Sequence, residues 1–278
     1  KREYQAGRTP NPCVVCNYTM KFGFLLDAAR GNGVSFDYFA TGHYARIEKQ
    51  GDRFFLKKAK DQSKDQTYFL YRLTSDRLAS ILFPLGDMTK QEVREVARSF
   101  GLPSAERTES QDFVAGGDYA PLFQGTPILP GNIVDEDGQI LGRHRGIVYY
   151  TVGQRRGLGI SSEKPLYVLR VDAERNEVVV TANERLFATG LYATDVVLNC
   201  LPLGELPLCE REGQGIPVTA KIRQNQKEFR AQLFPCDSNT AKIIFEKPER
   251  SVTPGQSVVL YLGEYVLGGG IIDTAIRD

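Results

Sequence analysis

The segment NPCVVCN at 11–17 places Cys13 and Cys16 three residues apart, directly after an Asn-Pro pair. Asn11 suits a helix N-cap and Pro12 the first helical position, so both cysteines fall near the start of one helix. Residues i and i+3 share a helix face, which lets their sulfurs meet. The N-terminal end of a helix favours an anion, and a thiolate there is a nucleophile at neutral pH. Spacing alone leaves three readings open: a redox or sulfur-carrying pair, half of a metal site, or two inert buried thiols. A closed zinc site needs a second thiol or imidazole pair at ligand spacing. The chain's two histidines, His43 and His144, do not supply it.

Three further segments could carry chemistry. In TGHY (41–44), Gly42 follows a short strand and would let a nucleotide approach the backbone closely; the plainer reading is a tight turn with a half-buried His43. Lys64-Asp65-Gln66 precedes the apolar run YFLYRL. Lys can meet a phosphate, and Asp and Gln can read a base edge; alone, the triplet reads as a solvated loop. Segment 143–160 holds four arginines, His144 and no acid. Arg155 and Arg156 stand between glycines there, with Tyr149 and Tyr150 nearby. Such a cluster suits an RNA backbone and stacked bases, against a plain surface turn.

The elements that must position these residues follow from pattern. Phe22, Leu25, Leu26 and Ala29 continue the Asn11-capped segment at helical spacing, and Gly31 and Gly33 end it. Thr89 and Glu92 form a capping box for a helix that Gly101 and Pro103 stop, with Val93, Val96, Ala97 and Phe100 as its apolar face. Residues 36–47 read as a short β-like run broken by Gly42, and 51–59 as another strand. The expectation is an α/β domain over 1–120. The texture changes over 121–186, which is Gly- and Pro-rich. Residues 187–278 carry short alternating strands, in which Phe229, Ala231 and Leu233 face one way and Arg230 and Gln232 the other; they form a small β-barrel.

Composition bounds the rest. The chain has 278 residues, 41% hydrophobic and 25% charged, with 35 Lys+Arg against 34 Asp+Glu. That excludes a disordered tail, and no apolar run approaches the ~18 residues of a membrane span. Five cysteines (Cys13, Cys16, Cys200, Cys209, Cys236) are too few and too uneven for a secreted disulfide scaffold. No signal peptide opens the sequence, so a cytoplasmic location is expected. The chain opens at Lys1 in a polar stretch, and further residues upstream are expected.

Read together, these segments resemble the tRNA-specific 2-thiouridylase family, MnmA/TrmU. AGRTPNPCVVCN, YFATGHYARI, KDQTYFLYRL, LFPLGDMTKQEVREVAR, PGNIVDEDGQILGRHRGIVYYTVGQRRGLGI and VTPGQSVVLY carry the likeness in the family's order, over nearly the whole chain. The resemblance implies α/β plus β architecture: the C-terminal part of a Rossmann-like PP-loop ATP pyrophosphatase domain, a central domain and a C-terminal β-barrel. It implies ATP with Mg2+ as the activating substrate, adenylation of the wobble uridine of tRNA, and sulfur transfer from a cysteine persulfide. A cysteine desulfurase or sulfur relay would supply the sulfur. By residue, Asn11, Pro12 and Cys13 match contacts to the target base, and Cys16 matches the cysteine usually assigned as nucleophile. Gly42 matches a nucleotide contact. His43, Lys64, Asp65, Gln66, Arg223, Gln224 and Gln256 match tRNA contacts.

Two departures stand out. No SGGxDS phosphate loop occurs in the chain, and the full-length protein is expected to carry it upstream of Lys1. The family's second cysteine follows its Ser-Gln element; here SQDFVAGGDY (110–119) has none. That leaves Cys13 and Cys16 to transfer sulfur as a pair, to hold an iron–sulfur cluster with an outside ligand, or to belong to a protein that binds tRNA without thiolating it.

Overall fold

The computed structural model describes residues 1–106, 120–199 and 215–277. The expected helix at 11–30 is present but is not uniform. Asn11 caps it, its side chain accepting from the Val14 N–H at 3.4 Å, and Pro12 occupies the first position. After α2 (Pro12–Val15) the backbone widens into a π-helical stretch, Cys16–Phe24, and returns to α in α3 (Leu25–Gly31). Such wide turns are frequent at functional sites. The widening shifts the apolar stripe: Phe22 and Leu26 are buried, while Leu25 faces solvent.

The capping box of α5 (Lys90–Ser99) forms as expected, with Glu92 N–H donating to Thr89 and Thr89 N–H to Glu92. Its apolar face is only partly covered among the described residues: Val93 and Ala97 are half-buried. No residue of α5 is buried, and Val96 and Phe100 are exposed. Local signals therefore suffice to build this helix, and its burial among the described residues is partial. Beside these helices lies a two-stranded parallel sheet, β1 (Phe39–Ala40) with β4 (Ile81–Leu82).

The C-terminal strands close into a six-stranded barrel, as expected. Its order is β13 (Ser257–Leu262), β10 (Ile216–Lys221), β11 (Phe229–Pro235), β12 (Ala241–Arg250), β9 (Phe187–Leu198) and β14 (Tyr265–Ile276), which pairs back to β13. Ala231 and Leu233 point inward and Arg230 and Gln232 outward, as the alternation requires. Leu191, Ala220, Leu233, Ile243, Val258, Leu260 and Ile272 fill the interior.

One pairing crosses the sequence-based partition. The hairpin of β2 (Arg46–Gln50) and β3 (Arg53–Lys57) joins the barrel sheet, with Lys57 opposite Tyr265 of β14. On β13, Val258 and Leu260 line the barrel, while Val259 and Tyr261 pack outward with Val14, Phe22, Tyr68, Leu70 and Tyr71. The strand is thus buried on both faces. Gly269 of β14 admits this layer: an added Cβ would stand 2.9 Å from the Tyr71 ring and 2.3 Å from the Val258 carbonyl.

Between these units is a four-stranded sheet in the order β6 (Ile140–His144), β5 (Gly131–Val134), β8 (Glu177–Thr181), β7 (Tyr167–Asp172), with β5 and β8 parallel. Ile133, Tyr150, Leu158, Val168, Val178 and Val180 form its core. No helix among the described residues is long and apolar enough to cross a membrane.

Candidate functional site

The two cysteines sit where the helix begins. Cys13 is half-buried, Cys16 is exposed, and neither is in a disulfide. This removes the reading of two inert buried thiols. The residue after them, Asn17, is only 6% exposed; its Nδ2 reaches the Phe69 carbonyl at 3.5 Å, and its Oδ1 has no hydrogen-bond partner. Tyr18 lies under the Arg72 guanidinium, 5.0 Å from its ring centre, and Arg72 holds Asp195 of β9 through two contacts of 2.5 and 3.1 Å. The cysteine helix is therefore tied to the barrel on one side. Asn17, Arg72 and Asp195 carry no local sequence signal, because only the fold brings them together.

The segment that leads into the helix is fixed by two other units. Arg8 reaches Asp273 and the Ile272 carbonyl of β14 at 2.9 and 3.1 Å. Thr9 N–H donates to the Pro254 carbonyl at 2.9 Å, and the Thr9 and Thr151 hydroxyls meet at 2.7 Å. The Gln256 carboxamide donates to the carbonyls of Thr9 (2.9 Å) and Pro10 (3.3 Å). Beside it, the Ser257 carbonyl accepts from the Tyr68 hydroxyl at 2.8 Å, and that hydroxyl also meets the Asn11 side chain. Asn11, Pro12, Cys13 and Gln256 thus come together at one seam.

The triplet at 64–66 is not a solvated loop. Asp65 is 4% exposed; its carboxylate accepts from Ala59 N–H at 2.8 Å and the Thr67 hydroxyl at 2.5 Å. Burial pushes its carboxyl up, with these hydrogen bonds opposing. Gln66 accepts from Tyr44 N–H at 2.9 Å, and Gln224 of the barrel donates to the Asp65 carbonyl at 2.6 Å. Arg223 donates to the Ser251 carbonyl. Lys64 is half-buried beside them. A polar cleft of about 630 Å³ opens here, lined by Lys58, Asp65, Lys221, Gln224 and Lys227 among others.

His43 is buried between Phe22 and Phe83, with ring centres 5.7 and 5.8 Å away, and its Nδ1 meets the Thr41 hydroxyl at 2.9 Å. Burial, aided by Lys21, lowers its pKa to about 4, so the ring is neutral at pH 7. Gly42, before it, is exposed just past β1, and an added Cβ would meet only the Leu85 side chain at 3.6 Å. Its backbone face is open to a ligand.

Arg155 and Arg156 stand exposed on a loop whose turn is held by Gln154, which accepts from Thr151 N–H and donates to the Arg156 carbonyl. His144 does not join them. It is 1% exposed, accepts from Gly146 N–H at Nδ1 and bonds the Asn176 carbonyl through Nε2. Cys236 is exposed, while Cys200, Cys209 and the 110–119 segment lie outside the described residues.

Residues 1–115 match the family described as the tRNA methyl transferase HUP domain, residues 122–182 its PRC-barrel domain, and residues 201–272 an aminomethyltransferase beta-barrel domain. A protein of Syntrophus aciditrophicus named tRNA-specific 2-thiouridylase MnmA 1 is 49% identical over 280 residues, 99% of this chain and 72% of the relative. The chain belongs to the MnmA/TrmU family. Two other members of this family, the tRNA-specific 2-thiouridylases MnmA of Clostridium beijerinckii and Geobacter metallireducens, are 46% and 48% identical over 99% of this chain, which spans 75% and 74% of their length. Membership accounts for the succession of HUP-type, central and barrel units.

Proposed function

We propose that this chain bears the cysteine pair and the RNA-facing loops of a tRNA 2-thiouridylase acting in the cytoplasm, with the wobble uridine as its target. The observation that carries the reading is the NPCVVC helix start: an exposed and a half-buried thiol, at i and i+3, at a seam where three units meet. The family names supply the substrate class, and the exposed Arg155–Arg156 loop suits RNA.

A stacked anticodon base must be extruded before its C2 can be reached, at a cost of a few kcal/mol, which is small in a single-stranded loop. Backbone contacts through Arg155, Arg156 and Lys64 offset that cost. The open backbone at Gly42 fits the edge of a nucleotide; ATP bound there with Mg2+ would adenylate the C2 oxygen with release of pyrophosphate, making that oxygen a leaving group. Cys16, the exposed thiol, receives a persulfide sulfur from a desulfurase or relay protein. That sulfur bonds to C2, and AMP departs. The Cys13 thiolate then attacks the Cys16 sulfur, releasing 2-thiouridine and leaving a Cys13–Cys16 disulfide. An external thiol reduces that disulfide for the next turnover.

An iron–sulfur cluster on Cys13 and Cys16 would need a further ligand from outside the pair. Among the described residues no group of three or more His, Cys, Asp or Glu side chains is placed to hold a metal ion.

The test is genetic. In a strain deleted for the gene, the full-length protein restores 2-thiouridine to tRNA, as read by nucleoside mass spectrometry, and its Cys16→Ser form does not. Full restoration by Cys16→Ser refutes the assignment. Purified wild-type chain that fails to retain tRNA at low salt refutes the RNA-facing part.

A further inference from the structure

Residues 7–10 have an unusual share of their polar groups committed to other units. Thr9 alone uses its N–H on Pro254, its carbonyl on Gln256 and its hydroxyl on Thr151. Gly7, at φ +72°, lies so close to β7 that an added Cβ would stand 2.7 Å from the Val171 carbonyl. The segment is therefore a strap that the barrel and the central sheet hold from both sides. Four residues after Thr9 comes Cys13.

One side chain holds the strap at its last two residues before the cap. Gln256 spans two consecutive carbonyls, Thr9 and Pro10, immediately before the Asn11 cap. Its neighbour Gly255 (φ +91°) leaves no room for a side chain, since a Cβ would stand 2.9 Å from Thr9 N and O. A carboxamide used in this way has both donor hydrogens directed at the strap. We infer that Gln256 is a positioning residue: it sets the first turn of the cysteine helix from the barrel, and so fixes where Cys13 stands. This inference rests on the thiolation reading for its purpose, but its geometry does not.

The position has a chemical requirement. Only a donor can face two carbonyl oxygens at this distance. Glu has the shape of Gln but turns an acceptor toward both, while Leu keeps the bulk and removes the bonds. Losing the bridge loosens the strap at Thr9 and Pro10, frays the first turn and exposes the half-buried Cys13. The exposed Cys16 and the distant Cys236 keep their access.

The experiment measures iodoacetamide alkylation of each cysteine by peptide mass spectrometry in the purified chain, with Cys236 as the internal reference. Gln256→Leu and Gln256→Glu raise the Cys13 rate relative to Cys236 threefold or more. Gly255→Ala, which crowds Thr9 but keeps the carboxamide, does the same. Circular dichroism and a cooperative melt confirm that each variant is folded. The tRNA dissociation constant, by filter binding, moves less than the Cys13 rate. Wild-type Cys13 rates in all three folded variants overturn the inference. So does a tenfold loss of tRNA affinity in Gln256→Leu with Cys13 unchanged, which makes the side chain a direct RNA contact. Neither result depends on 2-thiouridine formation, so failure of the thiolation reading registers separately.

Discussion

The neutral state of His43 makes a quantitative prediction. The ring sits between Phe22 and Phe83 with its pKa lowered from 6.5 to about 4 by burial and by Lys21. In the unfolded chain the same imidazole binds a proton near pH 6.5. Below that pH the unfolded state therefore holds more protons than the folded one, and stability falls as pH falls until the folded pKa is reached. Above pH 7 the effect vanishes. Linkage over this interval gives a loss of about 0.8 kcal/mol at pH 6, about 2 kcal/mol at pH 5 and ~3 kcal/mol near pH 4, relative to pH 8. Many carboxylates titrate in the same window, so the difference between wild type and His43→Gln isolates the ring. The assay is urea unfolding at pH 8, 6 and 5 for both proteins. His43→Gln costs stability at pH 8, where it loses the aromatic contacts, but wild type loses about 2 kcal/mol more than the variant between pH 8 and pH 5. Parallel losses, within about 0.5 kcal/mol, would mean that His43 can be protonated in the folded state and would refute the burial argument.

Phe22 is 0% exposed and meets Phe39 and Phe83 edge-on at 5.9 and 6.0 Å, so Phe22→Ala is expected to cost ~3–5 kcal/mol in urea unfolding. A loss below ~1 kcal/mol would show that the site collapses and that the cysteine helix does not depend on this layer. Replacing Arg155 and Arg156 together with Ala is expected to weaken tRNA binding uniformly across tRNA species. It should also lower the slope of log affinity against log salt by about 2. An unchanged slope between about 50 and 200 mM salt would remove this loop from the RNA-facing surface.

The sequence by itself determined the local events. The Asn11-Pro12 start, the Thr89/Glu92 capping box and the alternation along β11 each rest on contacts within a few residues, and each formed as read. The family likeness located the cysteine pair and the three-unit order in the same way, since it lives in short contiguous words. What only the tertiary structure decided is where those pieces touch. The β2–β3 hairpin completes a sheet begun some 200 residues later, and β13 is buried on both faces, so its alternation says nothing about which face is inside. Asp65 reads as solvated because acids usually are, yet Ala59, Thr67 and Gln224 close around it. The amphipathic stripe of α5 is only partly covered by the described residues, with Val93 and Ala97 half-buried and Val96 and Phe100 exposed. The reason is common to all four. Periodicity records that a residue has an apolar or polar neighbour, but the identity of that neighbour is a long-range property set by how sheets and helices stack. The position of Cys13 falls in this second class, because its helix start is held by a glutamine 243 residues further along the chain.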